Sequence, residues 1–279
     1  MTKFISDSAG DMHKLSDVDF SSVPLIISTD ERSFTDTPTL GREGIHEMLD
    51  YLAAHKGRSF TACPSIDSWL EAFGDADRIY VATITGGLSG TYNSAMTARK
   101  LYLETHPEAK IHVFDSLSTG PEIRMIIEKA AELDAAGLSF EEVCTAIEDY
   151  QKHTRLFFAL KSLHNMSQNG RVSKVLAAAI GVIGISLIGT ASEEGKLEMV
   201  SKARGDKKVV ASILEQMEMA GCNGQRIRIS HVENPELAEQ MKTAILKKYP
   251  DAEIVVSESL ALCSYYAERG GLLVGLETK

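Results

Sequence analysis

From Lys3 to His153 the chain alternates between short β-type runs and helix-period stretches, and this alternation constrains its fold more than any other feature. The β-type runs lie at Lys3–Ser6, Pro24–Ser28, Arg78–Ile84 and Lys110–Phe114. Apolar residues at helical spacing predict helices over Arg42–His55, Ser65–Phe73, Ser89–Glu104, Pro121–Leu133 and Phe140–His153. Alternation of this kind implies a parallel sheet covered by helices. Ligands bind to such sheets at the carboxyl ends of the strands.

Four segments reach that expected edge carrying hydroxyls or carboxylates, each just before a helix. They supply Asp7 and Ser8; Thr61, Cys63 and Ser65; Thr83, Thr85, Ser89 and Thr91; and Asp115, Ser116, Ser118 and Thr119. Helix N-capping alone favours Ser, Thr and Asp, but four such ends on one edge favour a polar site. After Arg155 the pattern changes. Strands are expected at Arg155–Leu160 and Gln225–Val232, in "KLEMVSKAR" and "EIVVSES", and in the closing "GGLLVGLE". A helix follows the turn at Arg204–Asp206, and another opens at Pro235. The expected architecture is α/β with two domains. Residues 1–153 form an N-terminal parallel-sheet, Rossmann-like domain, residues 154–279 a C-terminal α+β domain, and the ligand lies between them.

Composition narrows the function. A net charge of −10 over 279 residues, without a basic stripe, disfavours nucleic acid. No pair among the four cysteines has metal-type or C-x-x-C spacing, so neither a metal site nor a redox pair is expected. The chain opens without a secretory signal, which fits a reducing cytoplasm. The apolar run Val175–Gly189 is shorter than the ~20 residues of a spanning helix and is punctuated by Gly181, Gly184 and Gly189. It reads as a buried helix running into a buried strand.

The stretch "TITGGLSGTYNSAMTA" (Thr83–Ala98) looks like a cradle for an anion. It is not a Walker loop, because no lysine follows Gly86 until Lys100. Gly86, Gly87 and Gly90 have the wrong spacing for a dinucleotide fingerprint. Gly87-Leu88-Ser89-Gly90-Thr91 lacks the last glycine of a nucleophile elbow. What remains is anion binding at a helix N-terminus through amides and hydroxyls. Two alternatives stay open: a serine hydrolase acting on an acyl ester through Ser89, and a binding module for another small anionic metabolite.

Taken in order, the motifs resemble the DegV family of bacterial lipid-binding proteins. "FISDSAGD" (Phe4–Asp11) looks like its Thr/Ser-Asp-Ser opening, and "FTACPS" (Phe60–Ser65) is similar to its Thr-Ser-x-Pro-Ser motif with Ala62 for serine. "LSGTYNSA" (Leu88–Ala95) nearly completes its Leu-Ser-Gly-Thr-Tyr-x-Ser-Ala signature. "VFDSLSTG", "NGRVSK" (Asn169–Lys174) and "KARGDKK" (Lys202–Lys208) also fit, with Asn169 in place of a glycine. The resemblance implies a non-catalytic protein with no cofactor, holding one long-chain fatty acid such as palmitate, stearate or oleate. Its carboxylate would rest on Thr61 and Ser89, with Thr91 beside them. Gly90, Arg171, Arg204 and Tyr266 are candidates for further head-group or partner contacts. The acyl chain would lie in an apolar tunnel walled by Leu156–Leu160 and Val175–Ile188. In some members the acid is presented to a fatty acid kinase subunit. Here the chain departs from the family: "CSYYAERGGLLVG" stands where the family often has His-Thr-Gly-Pro-Gly, placing Tyr266 at the histidine position and Glu268-Arg269 at Gly-Pro.

Overall fold

The structure is a computed structural model that describes residues 1–173 and 184–279. The first part of the chain contains β1 (Thr2–Asp7), β2 (Phe20–Val23), β3 (Ile26–Thr29), β4 (Ser33–Thr35), α1 (Gly41–Ala54) and β5 (Ser59–Ala62). It continues with α2 (Ile66–Phe73), β6 (Arg78–Thr83), α3 (Thr91–Thr105), β7 (Lys110–Asp115), α4 (Pro121–Ala135) and α5 (Phe140–Tyr150). The rest contains β8 (Thr154–Leu160), α6 (His164–Gln168), β9 (Ile185–Ala191), β10 (Leu197–Arg204) and α7 (Asp206–Met219). It ends with β11 (Cys222–His231), α8 (Pro235–Lys248), β12 (Glu253–Glu258), α9 (Ala261–Ala267) and β13 (Leu272–Thr278).

The fold is α/β with two domains. The first is built on a four-stranded sheet of order β2-β1-β6-β7, parallel throughout. Ile79–Thr83 of β6 are all buried, as expected of a strand covered on both faces by helices. A small antiparallel sheet, β4-β3-β5, flanks it. This corrects the expected common edge: Pro24–Ser28 and the Thr61 segment belong to this second sheet, and β2 and β4 are additional strands. The other domain is a mixed sheet of order β10-β9-β8-β13-β11-β12.

Residue alternation on the mixed sheet separates two cores. Leu156, Phe158, Leu160, Leu187 and Leu273 pack in one cluster with Ile84, Ile123 and Ile126 of the parallel-sheet domain and with Leu262 of α9. Phe157, Ala159, Ile188, Leu272 and Val274 face the other way, against α7 and α8. Of the expected helix over the first part of Val175–Gly189, residues 175–183 lie outside the described residues; β9 begins at Ile185. Among the described residues no helix is long and apolar enough to cross a membrane.

Helix α4 joins the two domains. Its Ile123, Met125, Ile126, Ile127 and Ala130 are fully buried, and it packs on β1 and β6 as well as on β13 and β11. Gly275 of β13 permits that approach, since a Cβ there would lie 2.7 Å from Pro121 Cβ. Across this contact Glu128 of α4 receives Arg228 of β11 at 2.8 Å, both side chains almost wholly buried.

Candidate functional site

A void lies between the carboxyl edge of the parallel sheet and one face of the mixed sheet. Its floor is Leu156, Phe158 and Leu160 of β8, with Ala191, Leu197 and Leu273 from neighbouring strands. Period-2 alternation places these side chains on one face. Ile84, Thr85, Ser118 and Thr119 come from the ends of β6 and β7, and Leu262, Cys263, Tyr266 and Ala267 from α9. Thr61, Leu88, Ser89, Met166 and Arg171 complete the lining, and Arg171 Nε donates to Leu88 O. Among the described lining residues there is no Asp or Glu, and the only charged side chains are Arg171 and Lys196. Lys196 is already paired with Glu194 at 2.7 Å.

The strand-end polar residues therefore divide by chemistry. Hydroxyls of Thr61, Thr85, Ser89, Ser118 and Thr119 line the void. The carboxylates are braces: Asp7 accepts the amides of Ala9 at 2.9 Å and Ile84 at 2.7 Å, and Asp115 accepts those of Gly86 and Leu117 at 3.1 Å. A site that turns hydroxyls and an arginine inward and keeps carboxylates out suits an anion.

The loop before α3 does not offer the amide cradle that its glycines suggest. Gly86 N–H donates to Asp115, Gly87 N–H to Thr85 Oγ1 at 3.0 Å, and Leu88 and Ser89 N–H to Thr85 O at 3.3 and 3.2 Å. Gly87 has a different purpose, because a Cβ there would lie 2.5 Å from Glu194 O in the β9–β10 turn. Ser89 Oγ lies 2.8 Å from Thr91 Oγ1 and accepts the Thr91 N–H at 3.3 Å. Thr91 is fully buried and does not line the void, so it fixes the Ser89 rotamer. Gly90 caps α3, exposed and outside the lining. Arg204 is exposed at the end of β10 and also lies outside the lining.

Two of the further candidates do converge. Tyr266 OH and Thr61 Oγ1 are 2.7 Å apart, joining α9 to β5 across the domains. Arg171 donates from Nε to Leu88 O at 3.3 Å and from Nη1 to Asn169 O at 2.9 Å, with its guanidinium carbon 5.6 Å from the Tyr266 ring centroid. Burial raises the Tyr266 phenol pKa, partly offset by the Thr61 bond and the Arg171 charge, so the hydroxyl stays protonated and able to donate. Neighbouring Tyr265 is anchored by Ser59 Oγ at 2.7 Å and Asn169 Nδ2 at 2.8 Å. Burial pushes the Cys263 thiol well above its ordinary value, so this lining thiol is inert. Sequence reasoning missed Leu25, Met166, Leu197 and Leu262, whose apolar side chains give no signal that separates lining from core.

Among the described residues no histidine lines the void, and no group of three or more His, Cys, Asp or Glu side chains is placed to hold a metal ion. Residues 1–278 match the model of the DegV family, described as "Uncharacterised protein, DegV family". The chain belongs to the DegV family. A DegV domain-containing protein of Streptococcus gordonii is 42% identical over 279 residues, covering 99% of this chain and 98% of that one. The DegV fold here superposes with a TM-score of 0.97 on a DegV family protein from Eubacterium eligens loaded with heptadecanoic acid, 52% identical with both chains fully covered. The TM-score is 0.96 against the Streptococcus pneumoniae Fatty Acid Kinase (Fak) B3 protein loaded with linoleic acid, 42% identical, covering 100% of this DegV chain and 99% of that one.

Proposed function

We propose that this DegV protein binds one long-chain fatty acid and performs no chemistry on it. The observation that carries the reading is the void itself: an apolar floor, hydroxyls and one arginine in its wall, and no carboxylate among the described lining residues. The carboxylate accepts hydrogen bonds from Thr61, Ser89 and Tyr266 and faces the Arg171 guanidinium. The acyl chain runs over Leu160, Phe158 and Leu156, a stretch of about 13 Å at roughly 3.3 Å per residue. The relatives loaded with heptadecanoic and linoleic acids support this choice of anion. The likeness to the pneumococcal kinase protein further supports presentation of the bound acid to a separate kinase. We place the domain boundary at residues 153–154 and the protein in the cytoplasm, where its four unpaired cysteines stay reduced.

Ser89 as an esterase nucleophile has little support. Its hydroxyl is bonded to Thr91, and no histidine among the described residues lines the void to act as base. Native mass spectrometry of protein purified from a bacterial host, against a denatured control, is expected to show a co-purified fatty acid. An apo mass that gains nothing on adding palmitate or oleate would overturn the proposal.

A further inference from the structure

The Ser and Thr hydroxyls that line the void are not equally engaged. Thr61 is bonded to Tyr266 and Ser89 to Thr91, and Thr85 accepts the Gly87 N–H. Ser118 and Thr119, in the turn between β7 and α4, are different. The Ser118 backbone is satisfied: its N–H donates to Ser116 Oγ at 3.0 Å, and its carbonyl accepts the Ser116 hydroxyl at 3.0 Å and the Thr85 N–H at 2.9 Å. Its side chain is not. Ser118 is 3% exposed, and its Oγ has no hydrogen-bond partner of good geometry among the described residues. Thr119 Oγ1 has only the Cys263 sulfur, at 3.7 Å, a weak acceptor whose own S–H donates to Ala9 O at 3.4 Å.

Next to Ser118 in space is Glu122, which is buried and lines a separate polar cavity with Gln151 and Thr154. Burial raises its carboxyl above the ordinary range, and the Ser118 and Thr154 hydroxyls and the Arg155 charge draw it part of the way back. Glu122 thus competes for the Ser118 proton, which leaves the oxygen lone pairs as the unmet valence. An unmet buried hydroxyl is costly. A saturated chain passing it gives it no partner, and a double bond offers only a weak π contact. A hydroxyl on the chain both donates and accepts. Thr119 touches Cys263, which precedes Tyr266 by one turn of α9, about 4.5 Å along the axis at 1.5 Å per residue. Ser118 and Thr119 therefore stand beside the chain, away from the Thr61–Tyr266 bond that marks the head group.

We propose that Ser118, with Thr119 beside it, is a subsite for a hydroxyl group carried on the acyl chain, so that the preferred ligand class is a hydroxylated long-chain fatty acid. The inference rests on the fatty-acid reading above and adds a substituent to it. Its test is competition of stearate, oleate and hydroxystearates bearing the hydroxyl at successive positions against a fluorescent palmitate analogue, on the wild type and on Ser118→Ala. In a wholly apolar void every chain hydroxyl would be buried unmet, and each isomer would bind roughly tenfold or more weaker than stearate. With the subsite, a narrow range of positions should escape that penalty and bind roughly two- to tenfold tighter than stearate. Ser118→Ala should abolish this optimum, moving the ratio of affinities for the best isomer and stearate by roughly tenfold or more. A merely structural role would lower both affinities alike and leave the ratio where it was. A uniform penalty across the isomers would overturn the subsite, as would an optimum that survives in Ser118→Ala. An advantage of oleate over stearate that disappears in the variant, with every hydroxystearate penalised, would overturn the hydroxyl in favour of unsaturation. The wild-type series decides the matter alone if the variant does not fold. Failure of the wild type to bind any of these acids would instead overturn the fatty-acid reading.

Discussion

At the residue scale, the site divides its labour between groups that touch the void and groups that hold them. Ser89 is oriented by Thr91, and Thr61 by Tyr266. A hydrogen bond to a charged acceptor is worth about 1.5–3 kcal/mol. Thr61→Ala with Ser89→Ala is therefore expected to weaken fatty-acid binding roughly tenfold or more without unfolding the chain, as read by titration calorimetry and circular dichroism. Unchanged affinity would place the head group elsewhere. Tyr266→Phe removes one donor to the same carboxylate and should cost roughly tenfold or more. Ser89 could be singled out in the sequence as a hydroxyl before a helix at the end of a parallel strand, whereas Thr61, which lies on the small antiparallel sheet, was named through the family's Thr-x-x-Pro-Ser motif. Thr91 was legible only as a hydroxyl; that it faces inward, away from the void, depends on a rotamer. Tyr266 and Arg171 were named from the family motifs, since local pattern does not tell which residues of the second domain will face the first.

At the element scale, α9 shows how a short segment is held in place. Seven residues are too few for a helix to persist alone. Asp11 accepts the Leu260 N–H at 2.8 Å, and Asp36 accepts those of Ala261 and Leu262 at 3.1 and 2.9 Å. Burial lifts Asp7 and Asp11 to about 7 and Asp36 to about 6, against donated bonds that pull down. An acid with a raised folded-state pKa binds protons more readily folded than unfolded. The three thus contribute stability that is present at low pH and lost as pH rises from the ordinary value of 3.8 to about 7. His13, His112 and His231, lowered by burial, pull the opposite way below about 6.5. Comparison with Asp36→Asn removes that background. The stability advantage of the wild type should grow as pH falls from about 8 to about 5, read from urea midpoints. A constant difference would show that Asp36 is not raised. The main helices were legible because long apolar stripes at 3.6-residue spacing are unambiguous. The β4-β3-β5 sheet was not, since a four-residue run carries no mark of parallel or antiparallel pairing.

For the whole molecule, the proposed fatty acid would complete the core. Each buried methylene is worth about 0.8 kcal/mol, close to fourfold in Kd. Saturated acids of rising length should raise the thermal midpoint step by step, then stop where the void ends; ligand at a hundred times Kd adds about 2.7 kcal/mol. Differential scanning fluorimetry across a chain-length series would show it. A midpoint indifferent to length would mean the tail lies outside the void. The ordered motifs made the family legible along nearly the whole chain. The void was expected only through that resemblance, and most of its lining could not be read from local pattern, because it forms only where the two domains meet.

The mixed sheet also works as a partition. Leu156, Phe158 and Leu160 face the void, while Phe157, Ala159 and Ile188 face the α7–α8 core. Substitutions on sites without shared partners act nearly independently. Evolution can therefore rewrite the void side of β8 to suit a longer, shorter or kinked chain while the opposite side keeps the domain folded, so ligand preference is free to drift within one stable scaffold.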